Sequence, residues 1–326
     1  MTAPRVDFIP LTDPLLRAPR LEFAVELPVV GLMTRFETNS GYVRDVVEQA
    51  FGVWRDAATT ASTPMLRVRL IVQEGGEGTG SHAPVRHICP DPDRILIHSP
   101  GSVAIVDPER REAVAYVTTA LAADRDHFRR EFLEAVALAL VTHFDRHPIH
   151  AAAIGRDRAV LLAGPSGSGK STLAYLAHVS GLGVLSEEIV WVEQQAGFRL
   201  WGMPRRVRLL PGALGYFPEL RGQSSATDAQ GKIAVNLTGN GVARVSALKA
   251  VVCLLQRGPG PPHLERLPSG PIADALRREP AAGFDRFPER HEAAIATLAK
   301  DGGWRLTLSG DPREAVAALR EMVGVR

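Results

Sequence analysis

The chain reads as an α/β protein, with an α/β domain over residues 147–326 preceded by a smaller α+β domain over residues 1–146. Three observations predict this. The apolar run Ala159–Ala163, of buried-strand type, leads into Gly164-Pro165-Ser166-Gly167-Ser168-Gly169-Lys170-Ser171-Thr172. A helical stripe of Leu173, Leu176 and Ala177 follows, closed by Gly181, so strand, glycine-rich loop and helix succeed one another. The first 169 residues contain no lysine; of 38 basic residues four are Lys (170, 232, 249 and 300) and the other 34 are Arg. A chain that writes Arg almost everywhere places an ammonium at this loop.

In chain order, Leu21–Val30 and Met65–Val72 alternate as strands, and Gly41–Ala57 between them carries Val43, Val46, Val47, Ala50, Phe51 and Trp54 at helical spacing. Glu74–Asp93, rich in Gly, Pro and His, reads as a loop. Ile95–His98, Val103–Asp107 and Ala113–Thr118 read as short strands, and Asp126–Phe144 as an amphipathic helix. The texture changes near Arg146, and the first half has no chemical signature of its own.

The second half opens with Ile149–Ile154, a Gly155–Arg158 turn and the strand feeding the loop, which together predict a β-hairpin. The loop itself is G-x-x-x-x-G-K-[ST]. Its glycines let backbone N–H groups close around phosphates, Lys170 meets the β/γ-phosphates as a compact point charge, and the Ser171 hydroxyl suits Mg²⁺. The expected ligand is ATP or GTP. Gly183–Val192 then places Glu187 and Glu188 only 17 and 18 residues past Lys170. That leaves room for one helix and one short strand. A carboxylate pair at the carboxyl end of a strand beside the P-loop strand would hold Mg²⁺ and accept a hydroxyl proton. Farther on, Arg205 and Arg206 are placed to clamp a phosphate, the polar stretch Arg221–Gly231 reads as a lid or substrate loop, and Lys232 after it is placed to reach the site. Gly258–Pro262 is a turn, and Arg313–Met322 a final amphipathic packing helix.

Composition bounds the partners. With 45% hydrophobic residues, 23% charged and a net charge of +2, the chain is globular, and its arginines are scattered rather than run together. Aromatics, at 6%, are too sparse for base-stacking platforms, so no nucleic-acid partner is expected. Cys89 and Cys253 form no C-x-x-C and read as reduced thiols. Met1–Pro10 lacks an apolar signal region and no stretch approaches a membrane span, so a cytoplasmic protein without membrane association is expected.

His150 on the entering hairpin, the G-P-S-G-S-G-K-S-T loop, a ten-residue helix ending at Gly181 and an acidic pair after a short apolar strand together resemble the kinase domain of HPr kinase/phosphorylase. More specifically, they resemble its relatives among the serine kinases of modified-peptide clusters, including lasso-peptide kinases, and more distantly phosphoenolpyruvate carboxykinase. The resemblance is specific over His147–Leu237. It implies that Gly164 through Thr172 bind the phosphates and Mg²⁺, that His150 lies near the γ-phosphate, that Glu187 and Glu188 supply the catalytic base and a metal contact, and that Ser171 and Glu188 hold the metal. Two features depart from the family pattern. Its acidic pair is Asp-Asp where this chain has Glu-Glu, and its downstream Glu before Ile-Arg-Gly is absent from Arg206–Gly212.

The expected activity is ATP-dependent phosphoryl transfer to a serine hydroxyl on a peptide or small protein, with Lys170, His150, Glu187 and Glu188 catalytic. Two alternatives stand beside it: a nucleotide-binding regulator or scaffold whose altered acidic pair has lost transfer, and a small-molecule kinase. Homo-oligomerisation is left open.

Overall fold

The computed structural model describes residues 7, 20–57, 59, 65–75, 84–91, 93–220, 231–237, 245–278 and 286–324. The chain divides into two compact units, Met1–Arg146 and His147–Arg326, and is mixed α/β. Among the described residues no helix is long and apolar enough to cross a membrane.

In the first unit, β1 (Phe23–Val29), β2 (Leu32–Thr38), β3 (Leu66–Gln73), β4 (Arg86–Asp91), β5 (Arg94–Ser99), β6 (Ser102–Asp107) and β7 (Glu112–Thr118) form one sheet, ordered β1-β2-β3-β7-β6-β5-β4. The helix α1 (Gly41–Phe51) crosses from β2 to the parallel β3, and the Ser40 hydroxyl caps it by accepting from the Val43 N–H at 3.2 Å. Two of these strands lie outside the sequence reading. β2 follows a two-residue turn at Val30 and Gly31, both at positive φ (49° and 77°); a β-branched residue there does not advertise a hairpin. β4 lies inside the stretch read as a loop, and as an edge strand it takes its conformation from pairing with β5. The predicted helix over 126–144 begins earlier and is broken. The Thr118 hydroxyl caps α2 (Thr119–Ala123), and α3 (Arg125–His127), a π-helical stretch Phe128–Leu133 and α4 (Glu134–Val141) follow. From Val136 to Val141 every residue of α4 is buried. Arg146 ends the unit, itself buried, and donates from Nε to the Val30 carbonyl at 2.7 Å.

One face of this sheet carries an ion-pair ladder. Arg35 pairs with Glu26 and Glu37, each at 2.9 Å; Arg67 and Arg69 approach Glu37 at 3.5 and 3.8 Å; Arg69 meets Glu112 at 3.2 Å. The residues alternate along β1, β2, β3 and β7, so all six project from the same side.

In the second unit the strands are β8 (His147–His150), β9 (Ala152–Gly155), β10 (Arg158–Ala163), β11 (Val184–Ser186), β12 (Ile189–Glu193), β13 (Arg199–Trp201), β14 (Arg206–Leu209), β15 (Ile233–Asn236), β16 (Ser246–Ala247), β17 (Lys249–Arg257), β18 (His263–Leu267) and β19 (Gly303–Leu308). A six-stranded sheet, β11-β9-β10-β17-β19-β18, has parallel β10, β17 and β19 at its centre; β16-β13-β12-β8 forms a second sheet, and β14-β15 a two-stranded ribbon. On one side of the central sheet Val160, Leu162, Cys253 and Leu306 pack with α5 (Lys170–Val179) and α8 (Val316–Val323). On the other, Ala159, Leu161 and Val252 pack with α6 (Ser269–Arg278), α7 (Pro288–Ala299) and the second sheet. Burial on both sides explains why β10 and β17 read as continuous apolar runs rather than alternating ones.

The segment Ile149–Ile154, expected as one strand of a hairpin, is two strands in different sheets. β8 pairs with β12, the chain turns at Ala151, and β9 pairs with β10 and β11. The acidic pair also changes sheets, since Glu187 and Glu188 separate β11 from β12. β11 lies beside β9, not beside the P-loop strand β10 as expected.

Candidate functional site

β10 delivers the chain at Ala163 to a loop that only glycine satisfies at its key positions. Gly164, Gly167 and Gly169 have φ of 149°, 79° and 112°. A Cβ on Gly164 would also stand 3.0 Å from the Leu255 carbonyl oxygen and 3.1 Å from Ser168 Oγ. α5 begins directly after Gly169, and the N–H groups of its first turn have no intrahelical acceptor. With the helix dipole they form an anion-binding end. Lys170 lies back over the loop, its Nζ donating to the Gly164 carbonyl and, at 3.3 Å, to that of Pro165.

These residues open onto a cavity of about 530 Å³, lined by Ser166, Gly167, Gly169, Lys170, Ser171 and Thr172 together with His150, Glu187, Glu188, Arg208, Leu210, Gly212, Ala213, Tyr216, Lys232 and Arg257. Gly164, Pro165 and Ser168 of the motif are not in its walls; they shape the loop from behind.

The two chain corners explain how His150 reaches the same cavity as the acidic pair. Ile189 is in register with His150 and Ser186 with Ala153, so residues 147–155 and 184–193 form one antiparallel ribbon bent at Ala151 and, opposite it, at Glu187–Glu188. His150 ends β8 at one bend, and Glu187 and Glu188 form the other, so all three border the same cavity.

The two glutamates differ in environment. Glu187 is 9% exposed, and its Oε1 accepts from Ser171 Oγ at 2.6 Å. Burial pushes its carboxyl above the ordinary value; the Ser171 hydrogen bond and the charges of Arg208 and Lys232 oppose this, while Glu188 adds to it. Glu188 is 45% exposed. Arg208, on β14 and 12% exposed, spans both: its Nε lies 3.5 Å from Glu187 Oε2, and its Nη2 donates to Glu188 Oε2. The metal pair expected from sequence was Ser171 with Glu188. The hydrogen bond from Ser171 runs instead to Glu187.

Among the described residues no group of three or more His, Cys, Asp or Glu forms a metal site. One hydroxyl with one or two carboxylates nonetheless suits Mg²⁺, which keeps several waters and takes its remaining ligands from substrate phosphates.

Arg205 and Arg206, the expected phosphate clamp, do not line the cavity; the arginines that do are Arg208 and Arg257. Residues 221–230 of the expected lid lie outside the described residues, whereas Lys232 after them is in the cavity wall. Arg208 and Arg257 were missed. Arg257 ends β17, the parallel strand in register beside β10, and the carboxyl ends of parallel strands are where such sheets bind ligands, so the apolar run Ala250–Leu255 capped by Gln-Arg was a usable signal. Arg208 had only the alternation of Arg206-Val207-Arg208-Leu209 to mark it.

The lining brings four cations, Lys170, Arg208, Lys232 and Arg257, against the carboxylates of Glu187 and Glu188. This surplus of positive charge matches the metal complex of a nucleoside triphosphate, itself a net dianion. A scan of protein-family models finds none that matches the chain, and no curated protein matches it.

Proposed function

We propose that the 147–326 unit is an ATP-dependent phosphotransferase of the HPr kinase-like type, acting on a serine hydroxyl of a peptide or small protein. The observation that carries this reading is the 2.6 Å hydrogen bond from Ser171 to Glu187, which brings a carboxylate from beyond α5 onto the P-loop hydroxyl that ordinarily holds Mg²⁺. The triphosphate lies on the Gly164–Thr172 loop and the first turn of α5, with Lys170 moving from the loop carbonyls to the β/γ oxygens. Ser171 and Glu187 would hold Mg²⁺, whose contribution there is to neutralise charge on those oxygens. Glu188, the more exposed carboxylate and one residue from the register partner of His150, faces the acceptor and takes the hydroxyl proton as the oxygen attacks in line. Arg208, Lys232 and Arg257 supply fixed positive charge around the transferring phosphoryl group.

One observation favours a second reading, a nucleotide-binding regulator without transfer: Arg208 occupies both carboxylates. The two are separated with γ-labelled ATP, incubated with the wild type and either candidate peptides or lysate, following label by mass spectrometry. Label on a peptide Ser or Thr is expected. Free phosphate alone, or no turnover, would favour the regulator, and label on a small molecule would redirect the acceptor class. Competition by GTP in the same assay decides the base preference.

A further inference from the structure

The site contains a cation of its own where a metal would be expected. Arg208 reaches both Glu187 and Glu188, and with 12% and 9% exposure Arg208 and Glu187 are largely shielded from bulk water. A guanidinium presents five N–H donors in a planar fork and bridges two carboxylates that an ammonium would serve singly. A divalent ion entering the same oxygens would compete with the guanidinium for them and stand beside it as a second cation in a largely buried place, which is costly.

An anion that takes Arg208 over relieves that repulsion. Arg208 sits on the β14–β15 ribbon, whose strands pair only with each other among the described residues, and Lys232 precedes β15 and lines the same cavity. The ribbon therefore presents two cations to the volume in front of the phosphate loop. Phosphate oxygens placed there would accept the guanidinium as the carboxylates release it.

We propose that Arg208 is the resident counter-ion of the acidic pair and that it admits a divalent metal only together with a nucleotide whose phosphates receive the guanidinium. This rests on the nucleotide-binding reading of the cavity. Metal and nucleotide then bind with positive coupling, and by reciprocity each raises the affinity for the other. The device keeps the carboxylates from filling with metal in the absence of nucleotide.

The test uses Mn²⁺ as the probe, its free concentration followed by electron paramagnetic resonance, with the full chain and no nucleotide. Arg208→Gln is expected to bind one Mn²⁺ at least ~10-fold more tightly than the wild type, and Arg208→Gln combined with Glu187→Gln to lose that gain. Arg208→Lys keeps the charge but cannot span both carboxylates; an intermediate gain is expected, and this variant decides the question if the Gln variant does not fold. Equal Mn²⁺ affinity in wild type and variants would overturn the proposal. Calorimetry of Mg·ATP on the wild type keeps the two ideas apart: no ATP binding overturns the nucleotide reading itself, whereas intact ATP binding with unchanged Mn²⁺ affinity overturns only the role of Arg208.

Discussion

The ladder on the first unit's sheet and the cavity of the second are built from the same residue types to opposite ends. In the ladder Arg35, Arg67 and Arg69 meet Glu26, Glu37 and Glu112, three against three, with every link between 2.9 and 3.8 Å. In the cavity four cations face two carboxylates. A balanced array is at rest and needs no ligand. An array with surplus positive charge around a helix N-terminus attracts an anion. Counting charge by place rather than over the chain separates scaffold from site, although the whole-chain net charge of +2 shows neither.

The sharpest way to break the comparison is to remove the ammonium. At nucleotide about 100-fold above its Kd the wild type should gain ~2.7 kcal/mol of stability, read as a rise in thermal midpoint. Lys170→Ala should gain none. Lys170→Arg should also be impaired, since a planar fork does not fit a cradle shaped for a point charge. Next come the carboxylates: Glu187→Gln and Glu188→Gln should each lower phosphoryl transfer by at least ~100-fold while leaving ATP affinity within a few-fold, as measured by single-turnover kinetics and calorimetry. Wild-type turnover in both would return the pair to a structural role.

A smaller effect concerns pH. The Glu187 carboxyl sits above its ordinary value of 4.5 because of burial, so the folded chain holds that proton more tightly than the unfolded chain. Its favourable contribution is complete below the unfolded value and is lost as pH rises through the folded one. With a chelator present and no nucleotide, thermal stability should therefore decline across that window, and Glu187→Gln should remove that part of the slope. The smallest effect belongs to the ladder. Glu37→Gln should cost at most ~1 kcal/mol, less in high salt, and leave nucleotide binding unchanged.

How much of this was legible in the sequence depended on how local each feature is. The strand, loop and helix over 158–179 could be read because the glycines, Lys170 and the Leu173/Leu176 stripe are contiguous and each carries its own physical signal. The bend at Ala151 could not. Ile149-His150-Ala151-Ala152-Ala153-Ile154 has no glycine or proline to mark a corner, and the chain turns there because two sheets claim its two ends. The break between α2 and α4 was hidden because Phe128 and Phe132, four residues apart and both buried, keep helical spacing through the π-helical stretch. Arg208 was beyond local reading. It lies 20 residues past Glu188, and its place in the site comes from the pairing of β14 with β15, a long-range contact that no spacing announces.

The two cysteines give each unit a chemical clock of its own. Cys89 is exposed, while Cys253 is buried on β17 in register with Leu162 of the P-loop strand, its thiol pushed up to about 12 by that burial. A thiol reagent at neutral pH should label Cys89 promptly, whereas Cys253 should wait for the central sheet to open, since reaction needs both access and a thiolate. The slow phase of labelling then times the breathing of the layer that carries the phosphate loop. A nucleotide that closes on that loop should lengthen the slow phase and leave the fast one untouched.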